Sequence, residues 1–192
     1  MIIVFDIESN GLPKNWKENY KNVGNWPRII QLAWQQYTPE GKKIAEHNYL
    51  IKPDGFELDK HAQEVNKITK EMLDKDGIAI NHALEMFIKS LSITTKIVAH
   101  NISFDQNVLL SELIRADKNE ATNLFLEKER LCTMHKSTQF CGIPGAYGFK
   151  WPKLEELHQR LFGEPVENAH DALGDVSATA KCYFKLVEKN II

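Results

Sequence analysis

The chain is poor in cysteine and contains no long apolar run. Its three cysteines, Cys132, Cys141 and Cys182, are odd in number and lack the C-x-x-C spacing of metal sites. This usage is typical of reduced thiols in a cytosolic protein. No apolar stretch approaches the roughly 18 residues needed to span a membrane, and acids follow the first apolar residues too closely for a signal peptide. We therefore expect a cytoplasmic protein without a membrane partner.

The chain also has almost no net charge. Its 24 Lys and Arg residues against 26 Asp and Glu residues give a formal charge of −2. This balance excludes a strongly basic nucleic-acid coat protein but allows a local basic groove. The 192 residues are 43% hydrophobic and 26% charged, as in ordinary globular proteins. Because no repeat, low-complexity tract or linker is present, we expect a single domain over residues 1–192.

The apolar pattern predicts an α/β fold that begins with three consecutive strands. Strands are expected at residues 2–8, 28–37, 43–51, 97–99 and 131–134. The first three are joined by a loop at 10–27 and a tight turn at 39–41, which favours an antiparallel meander. Helices are expected at residues 69–73, 81–91, 105–116, 153–162 and 171–188, with caps at Thr69, Asn81 and Asp171 and a loop at 142–152.

Two acidic residues, Asp6 and Glu8, end the first strand. Side chains alternate between the faces of a strand, so these two point the same way while Ile7 points opposite. At 4 Å and an effective dielectric constant of 20, two unit charges interact by about 4 kcal/mol. A hard divalent cation would remove this repulsion, because Mg²⁺ and Mn²⁺ prefer oxygen ligands. The pair therefore indicates a metal site.

Two further segments carry acids in suitable places. Asp105 follows the fourth strand where the chain passes into a helix, and ligand sites gather at such carboxyl ends. His170 and Asp175 are five residues apart, about 140° around a helix, so they cannot share a helical face. If Asp171 is the N-cap, His170 lies on the entering loop and Asp175 just over one turn inside the helix. Both can then lean over the edge of the first strand.

Each segment alone has a simpler explanation. Asp6 and Glu8 could be solubilising or capping residues, and Asp105 could start a helix favoured by the dipole. His170 could be a surface loop residue, and we interpret His100 as structural, hydrogen-bonded near a strand end. Together, however, the three segments favour one metal site.

These segments resemble the motifs of a known superfamily. The matching residues are Asp6-x-Glu8, Asn101-x-x-Phe104-Asp105 and His170-x-Ala172-Leu173-x-Asp175, with supporting stretches at 65–73 and 153–157. The chain resembles the DEDD superfamily of 3′→5′ exonucleases over nearly its whole length. It is most similar to the DnaQ-like, histidine-containing (DEDDh) branch, because the position of the alternative tyrosine is occupied by Asp171.

The resemblance implies a ribonuclease H-like fold: a mixed five-stranded sheet, with a three-stranded antiparallel meander and two parallel strands, flanked by helices. It implies two divalent ions, Mg²⁺ or Mn²⁺, held by Asp6, Glu8, Asp105 and Asp175. Asp6 would bridge both ions, Glu8 and Asp175 would bind the ion that carries the nucleophilic water, and Asp105 the second ion. His170 would act as the base; an unperturbed pKa near 6.5 suits that role near neutral pH.

The resemblance also implies where the substrate binds. The residues after the first motif would hold the last nucleotide, and the second motif would contribute to the same pocket. The expected contacts are Ser9, Asn10, Gly11, Leu12, Asn101 and Phe104. Ser9-Asn10-Gly11 departs modestly from the family's Thr-Thr/Ser-Gly, so we expect backbone contacts there to be retained. Asn66-Lys67 replaces the His-Gly of many relatives, and this puts any contact of that His in doubt.

Aromatic and basic residues are interleaved in the first loop. Trp16, Tyr20 and Trp26 lie among Lys14, Lys17, Lys21 and Arg28. Such a pattern suits a single strand, because bases stack on rings and phosphates meet cations. The alternative is that the rings only pack over an exposed edge. We hypothesise that Trp16 and Trp26 contact substrate.

The function that these features favour is a metal-dependent 3′→5′ exonuclease that acts on single-stranded nucleic acid, DNA rather than RNA, and releases nucleoside 5′-monophosphates. Alternatives are an RNA-specific exoribonuclease or oligoribonuclease-like enzyme, an inactive nucleic-acid-binding module, and a two-metal phosphohydrolase of small substrates. The expected partner is a single strand with a free 3′ end. Association with a DNA polymerase is a further possibility, although the sequence ends at Ile192 without an evident tethering tail.

Overall fold

The computed structural model describes residues 1–167 and 171–192. Its strands are β1 (Ile2–Ser9), β2 (Ile29–Tyr37), β3 (Lys43–Leu50), β4 (Lys96–Ala99), β5 (Glu129–Cys132), β6 (Pro144–Gly145) and β7 (Gly148–Phe149). Its helices are α1 (Lys60–Asn66), α2 (Lys70–Asp76), α3 (Ile80–Ser92), α4 (Ile102–Arg115), α5 (Asn119–Glu127), α6 (Thr133–Cys141), α7 (Leu154–Phe162) and α8 (Ala172–Glu188). Within these ranges no helix has the length and apolar character needed to cross a bilayer.

The main sheet has five strands in the order β3-β2-β1-β4-β5. The first three are antiparallel neighbours, and β4 and β5 extend the sheet in parallel with β1. The predicted mixed five-stranded sheet is therefore confirmed. Because β4 runs parallel to β1 and β5 runs parallel to β4, the chain segments that leave β4 and β5 lie at the same end of the sheet as the carboxyl end of β1.

The core lies on both faces of this sheet, and β1 shows why. Ile3, Phe5 and Ile7 face helices α3, α4 and α5, whereas Ile2 and Val4 face α8. Period-two alternation places Asp6 and Glu8 on the same face as Ile2 and Val4. The apolar half of β1 is thus covered by α8, and its acidic half lies at the amino end of that helix.

Several local predictions were wrong. Helices α1, α5 and α6 were not predicted, and α3 begins after Ala79 rather than at Asn81. Thr133 and Met134 are helical, because β5 ends at Cys132 and the chain turns at once into α6. The expected loop at 142–152 contains the two-stranded hairpin β6–β7. Short helices of seven to nine residues show too few apolar repeats for a periodic pattern to be seen.

The predicted loop at 10–27 lies against α4 and is held there by a buried ion cluster. The Glu112 side chain is 2% exposed, and its Oε1 accepts hydrogen bonds from Arg28 Nε at 2.6 Å and from an Arg115 Nη1 at 2.9 Å. Arg115 also donates to the backbone carbonyls of Val23, Trp26 and Pro27. The loop therefore has one defined position beside the carboxyl end of β1.

Candidate metal centre

Three carboxylates converge at the carboxyl end of β1. Asp6, Glu8 and Asp175 each offer an oxygen, and these oxygens all lie within 4.8 Å of one another. The strand supplies the first two from one face, and the first turn of α8 supplies the third. The structure thus brings together two of the sequence motifs that are about 170 residues apart in the chain. Hard oxygen donors in such a group suit Mg²⁺ or Mn²⁺.

Asp171 and Gln31 determine where α8 begins. As predicted, Asp171 is the N-cap, and its carboxylate accepts a hydrogen bond from the Gly174 amide at 3.1 Å. Gln31 lies opposite Glu8 on β2, donates to Asp171 Oδ1 at 2.8 Å and accepts from the Ala172 amide at 3.2 Å. The same residue thus holds both the cap and the first helical amide. Asp175 follows just over one turn later and reaches the cluster.

Asp105 completes the group from the opposite side. It lies in the first turn of α4, is 3% exposed, and accepts a hydrogen bond from the Ile7 amide at 3.1 Å. The β1–β4 pairing extends only to Val4 and Val98, so the Asp105 carboxylate takes over as partner for β1 where β4 has ended. This bond places Asp105 behind Asp6 and Glu8, outside the tightest set of three oxygens but within their electrostatic field.

Burial and neighbouring negative charges raise the pKa values of Asp6, Glu8 and Asp105. Burial raises the pKa of Asp6 well above its usual range, and the charges of Asp105, Asp175 and Glu8 add to this effect. Burial raises the pKa of Glu8 to about 8, reinforced by Asp175 and Asp105, while a hydrogen bond with Asn66 acts in the opposite direction. Burial likewise raises the pKa of Asp105 to about 8. Such a cluster binds either protons or cations, and a divalent ion fits its donors and its charge.

The stabilisation by Mg²⁺ should therefore grow between pH 5 and pH 8. In the folded, metal-free protein the pKa values of Glu8 and Asp105 are about 8, against ordinary values of 4.5 and 3.8. The folded state then holds more protons than the unfolded state, so its stability in EDTA falls as the pH rises through this window. The Tm difference between Mg²⁺ and EDTA should be small at pH 5 and largest at pH 8.

The control for this experiment is the Glu8→Gln variant, which removes one titrating group. Its Tm difference between Mg²⁺ and EDTA should depend less on pH than that of the wild type. A wild-type difference that is constant between pH 5 and pH 8 would contradict the assignment of these carboxylates as ligands.

The proposed base, His170, lies outside the described residues. Its role therefore stays a prediction from the sequence motif. The described neighbours of that segment are Asp171, which caps α8, and Glu167. His100, interpreted as structural, immediately follows β4: its Nε2 is 3.0 Å from the Pro152 carbonyl and its Nδ1 is 3.0 Å from Thr133 Oγ1.

A groove next to the carboxylates contains four of the eight predicted substrate residues. Leu12 is 66% exposed, and Phe104 is half-buried with its ring 5.8 Å from that of Trp16. Ser9 is buried, and its hydroxyl donates to the Gly11 carbonyl at 2.7 Å. Groove-lining residues include Glu8, Ser9, Gly11, Leu12, Val65, Asn66 and Phe104. Asn101, the N-cap of α4, is partly exposed at the same end of the sheet.

Two predicted substrate residues are engaged in contacts within the protein. Asn10 uses both backbone groups and both side-chain atoms internally, with Arg28, Glu57 and Asp59 as partners. Trp26 is 4% exposed, and its indole N–H donates to the Asn19 carbonyl at 3.2 Å. The Trp26 ring therefore has almost no accessible surface, whereas Asn10 is partly exposed. The loop therefore contributes one exposed aromatic ring, Trp16, which is 58% exposed.

Sequence reasoning also missed two residues that support the site. Gln31 is 3% exposed on a strand whose every residue is buried, and Asn66 is 7% exposed at the end of α1. Buried amides need hydrogen-bond partners, so a glutamine within a buried strand was a detectable signal. Asn66 gave no such signal, because α1 was not predicted.

The mixed five-stranded sheet with its flanking helices is a ribonuclease H-like fold. A cluster of carboxylates suited to metal binding lies at the end of its central strand. Comparison with known proteins agrees with this class. The profile of the RNase_T exonuclease family matches residues 3–183, and the chain therefore belongs to this family of DEDD-superfamily 3′→5′ exonucleases. No curated protein sequence matches the chain.

Solved structures share the fold. E. coli exonuclease I in complex with a dT13 oligonucleotide has a TM-score of 0.75 at 21% identity, over 97% of this chain and 40% of that chain. The zinc-bound form of the E. coli exonuclease I–ssDNA complex has a TM-score of 0.75 at 21% identity, over 98% and 40%. A moderately thermophilic exonuclease I from Methylocaldum szegediense has a TM-score of 0.74 at 21% identity, over 98% and 40%. The chain thus spans about two-fifths of the length of these proteins.

Proposed function

We propose that this chain hydrolyses phosphodiester bonds at the 3′ end of single-stranded nucleic acid, with DNA favoured over RNA, and releases nucleoside 5′-monophosphates. The observation that carries the proposal is the convergence of Asp6, Glu8 and Asp175 within 4.8 Å, with Asp105 behind them. Two divalent ions, Mg²⁺ or Mn²⁺, would be held there. The proposal includes a single exonuclease domain over residues 1–192 and a cytoplasmic location.

The residues of the site would have distinct roles in the reaction. Divalent ions, when bound, supply charge stabilisation for the scissile phosphate and lower the pKa of a bound water. Asp6, at the centre of the group, would bridge two ions, with Glu8 and Asp175 on one side and Asp105 on the other. His170 would remove the proton from the attacking water oxygen. Four carboxylates would thereby balance two dications while leaving positions open for water and phosphate.

The groove supports specificity for a chain end. Its apolar lining is provided by Leu12, Val65 and Phe104, and it starts at Glu8. A terminal base can lie against these side chains while its phosphate lies at the carboxylates. Ser9 and Gly11, at the end of β1, have backbone groups that can contact the terminal sugar. Exonuclease I complexes with dT13 and dA16 oligonucleotides support the choice of single-stranded DNA.

The test is a digestion panel of 5′-labelled single-stranded DNA, single-stranded RNA and duplex DNA with Mg²⁺, Mn²⁺ or EDTA. A ladder that shortens from the 3′ end of the DNA and disappears in EDTA is expected. Preferred digestion of RNA would favour the exoribonuclease alternative. Absence of digestion together with retained strand binding would favour the inactive module and overturn the proposal.

Replacement of Trp16 by alanine should weaken the binding of single-stranded DNA. Stacking of one base on an aromatic side chain contributes about 1–3 kcal/mol, so Kd should rise roughly 5- to 100-fold. Folding should be unaffected, since the ring is 58% exposed. Fluorescence anisotropy of a labelled oligonucleotide in EDTA measures the effect. Ile44→Ala, at an exposed residue near the opposite end of the sheet, is the control; equal affinities of the two variants would contradict the contact.

A further inference from the structure

Three exposed aromatic side chains lie together on a segment that the proposed mechanism does not use. We call residues 142–153 the aromatic hairpin; it contains β6, β7 and the residues that lead into α7. Tyr147 is 105% exposed, Phe149 50% and Trp151 63%. Among the described residues the only other exposed Phe, Tyr or Trp ring is that of Trp16, which packs against Phe104. Exposed rings in such a group mark an interaction surface.

The hairpin has a defined geometry. Pro144 pairs with Phe149 and Gly145 with Gly148, so Ala146 and Tyr147 form a two-residue turn. Gly148 has a φ of 113°, which strains any other residue, and a Cβ at Gly145 would lie 3.1 Å from the Gly148 carbonyl, which leaves little room for a side chain there. This tight turn holds the Tyr147 ring in solvent. Below the turn, the Trp151 ring lies 4.9 Å from the His135 ring of α6.

His100 ties this segment to the edge of the sheet that carries the metal centre. The Pro152 carbonyl only accepts, so His100 Nε2 carries the proton, and in the neutral ring Nδ1 accepts from the Thr133 hydroxyl. Burial lowers the pKa of His100 and favours this neutral form. His100 immediately follows β4, whose last residues lie level with Val4 and Phe5 of β1. The Pro152 end of the hairpin is therefore joined to the residue that follows β4, the parallel neighbour of the strand that carries Asp6.

The charge of the segment is suited to a polyanion. Lys150 and Lys153 flank Trp151, and no acidic residue occurs between Gly142 and Lys153. Glu156 of α7 pairs with Lys150 at 2.5 Å and offsets part of this positive charge. Stacking rings next to cations are the features with which proteins bind single strands without regard to sequence.

We infer that the aromatic hairpin binds the single strand beyond its terminal nucleotide, so that the substrate runs from the carboxylates across the ends of β4 and β5. This inference rests on the proposed function, because it requires the 3′ end to lie at Asp6. Trp16 and Phe104 contact the strand on the β1 side of the cluster, and Tyr147, Phe149 and Trp151 contact it on the β5 side.

The test compares long and short substrates. The triple variant Tyr147→Ser, Phe149→Ser, Trp151→Ser should raise the KM for a 15-nucleotide single strand ten-fold or more, since each stacked base adds to affinity. Its kcat, and its kcat/KM for a dinucleotide, should equal those of the wild type, because a dinucleotide does not reach the hairpin. The matched control is Ile93→Ser, at a 58% exposed residue just before β4, at the opposite end of the sheet.

Binding in EDTA separates this inference from the proposed function. Anisotropy of the labelled 15-mer should show a ten-fold or greater rise in Kd for the triple variant even if the wild type hydrolyses nothing. If the triple variant binds the 15-mer with the same Kd as the wild type, the inference is overturned. The proposed hydrolysis is then still tested separately by the digestion panel. If the triple variant loses its cooperative thermal transition, the single variants Tyr147→Ser, at the tip of the turn, and Trp151→Ser replace it. An unchanged Kd for both single variants would also overturn the inference.

Discussion

The Asp6→Asn variant should lose at least about 10³-fold in turnover of single-stranded DNA. Asp6 lies at the centre of the carboxylate group, and its pKa is raised by burial and by Asp105, Asp175 and Glu8 together. A neutral amide cannot bridge two cations, and metal ions contribute several kcal/mol of transition-state stabilisation to phosphoryl chemistry. Release of mononucleotide at saturating Mg²⁺ measures the loss.

The same variant should be more stable than the wild type in EDTA. Removing one of four mutually repelling acids relieves the folded state, and each 1 kcal/mol of relief corresponds to about 2–4 °C in Tm for a chain of this size. Mg²⁺ should then raise the Tm of the variant much less than that of the wild type. The control is Asp76→Asn, at an exposed residue of α2. Wild-type turnover in Asp6→Asn would falsify the assignment of this residue.

This pair of results distinguishes a functional site from a structural one. Replacing a carboxylate that stabilises the fold lowers the stability of the protein. Replacing a metal ligand that lies among other carboxylates raises the stability when no metal is bound. Asp6→Asn should therefore show both the gain in stability in EDTA and the loss of turnover. A surface variant should show neither effect.

The Glu112→Ala variant should lose about 3–5 kcal/mol of stability, which is the usual cost of breaking a buried ion pair on one side. Its carboxylate accepts from Arg28 Nε, an Arg115 Nη1 and, at 3.3 Å, the Ile29 amide. Without it, a largely buried guanidinium of Arg115 has no counter-charge. Urea unfolding measures the difference, and the Tm should fall by roughly 6–20 °C.

The control is an exposed ion pair of the same protein. Glu85 lies 3.4 Å from Lys118, and its side chain is 58% exposed. Glu85→Ala should change the stability by less than about 1 kcal/mol, because water screens such pairs. The loop at 10–27 should also become sensitive to protease in Glu112→Ala, since Arg115 holds the Val23, Trp26 and Pro27 carbonyls through this cluster. Equal losses in both variants would show that Glu112 is not the anchor of the loop.

The sheet and the acid pair on β1 followed from periodicity. The apolar, β-branched run at 2–8 predicts a strand, along which side chains alternate between faces, so Asp6 and Glu8 had to share a face; the N-cap at Asp171 had to place Asp175 just over one turn into α8. Both inferences use only neighbouring residues. The short helices α1, α5 and α6 were missed for the complementary reason: their boundaries depend on what packs against them rather than on their own pattern.

The two loop tryptophans show where such local reasoning ends. Trp16 and Trp26 occur in similar polar, basic surroundings in the sequence, yet one is 58% exposed and the other 4%. The difference arises from α4, whose Arg115 and Glu112 draw the second half of the loop inward. Residues 89 positions away thus decide which ring can meet a substrate.

By itself, the sequence determined the three consecutive strands at the start of the chain, the face that Asp6 and Glu8 share and therefore the kind of ion that would neutralise them, since alternation and capping act between near neighbours. Only the tertiary structure decided that Gln31 aligns α8 with β1, that Asn10 and Trp26 are consumed by internal contacts, and that the aromatic hairpin is tied through His100 to the same edge. These outcomes depend on contacts between segments far apart in the chain, and no local pattern records which partners will meet.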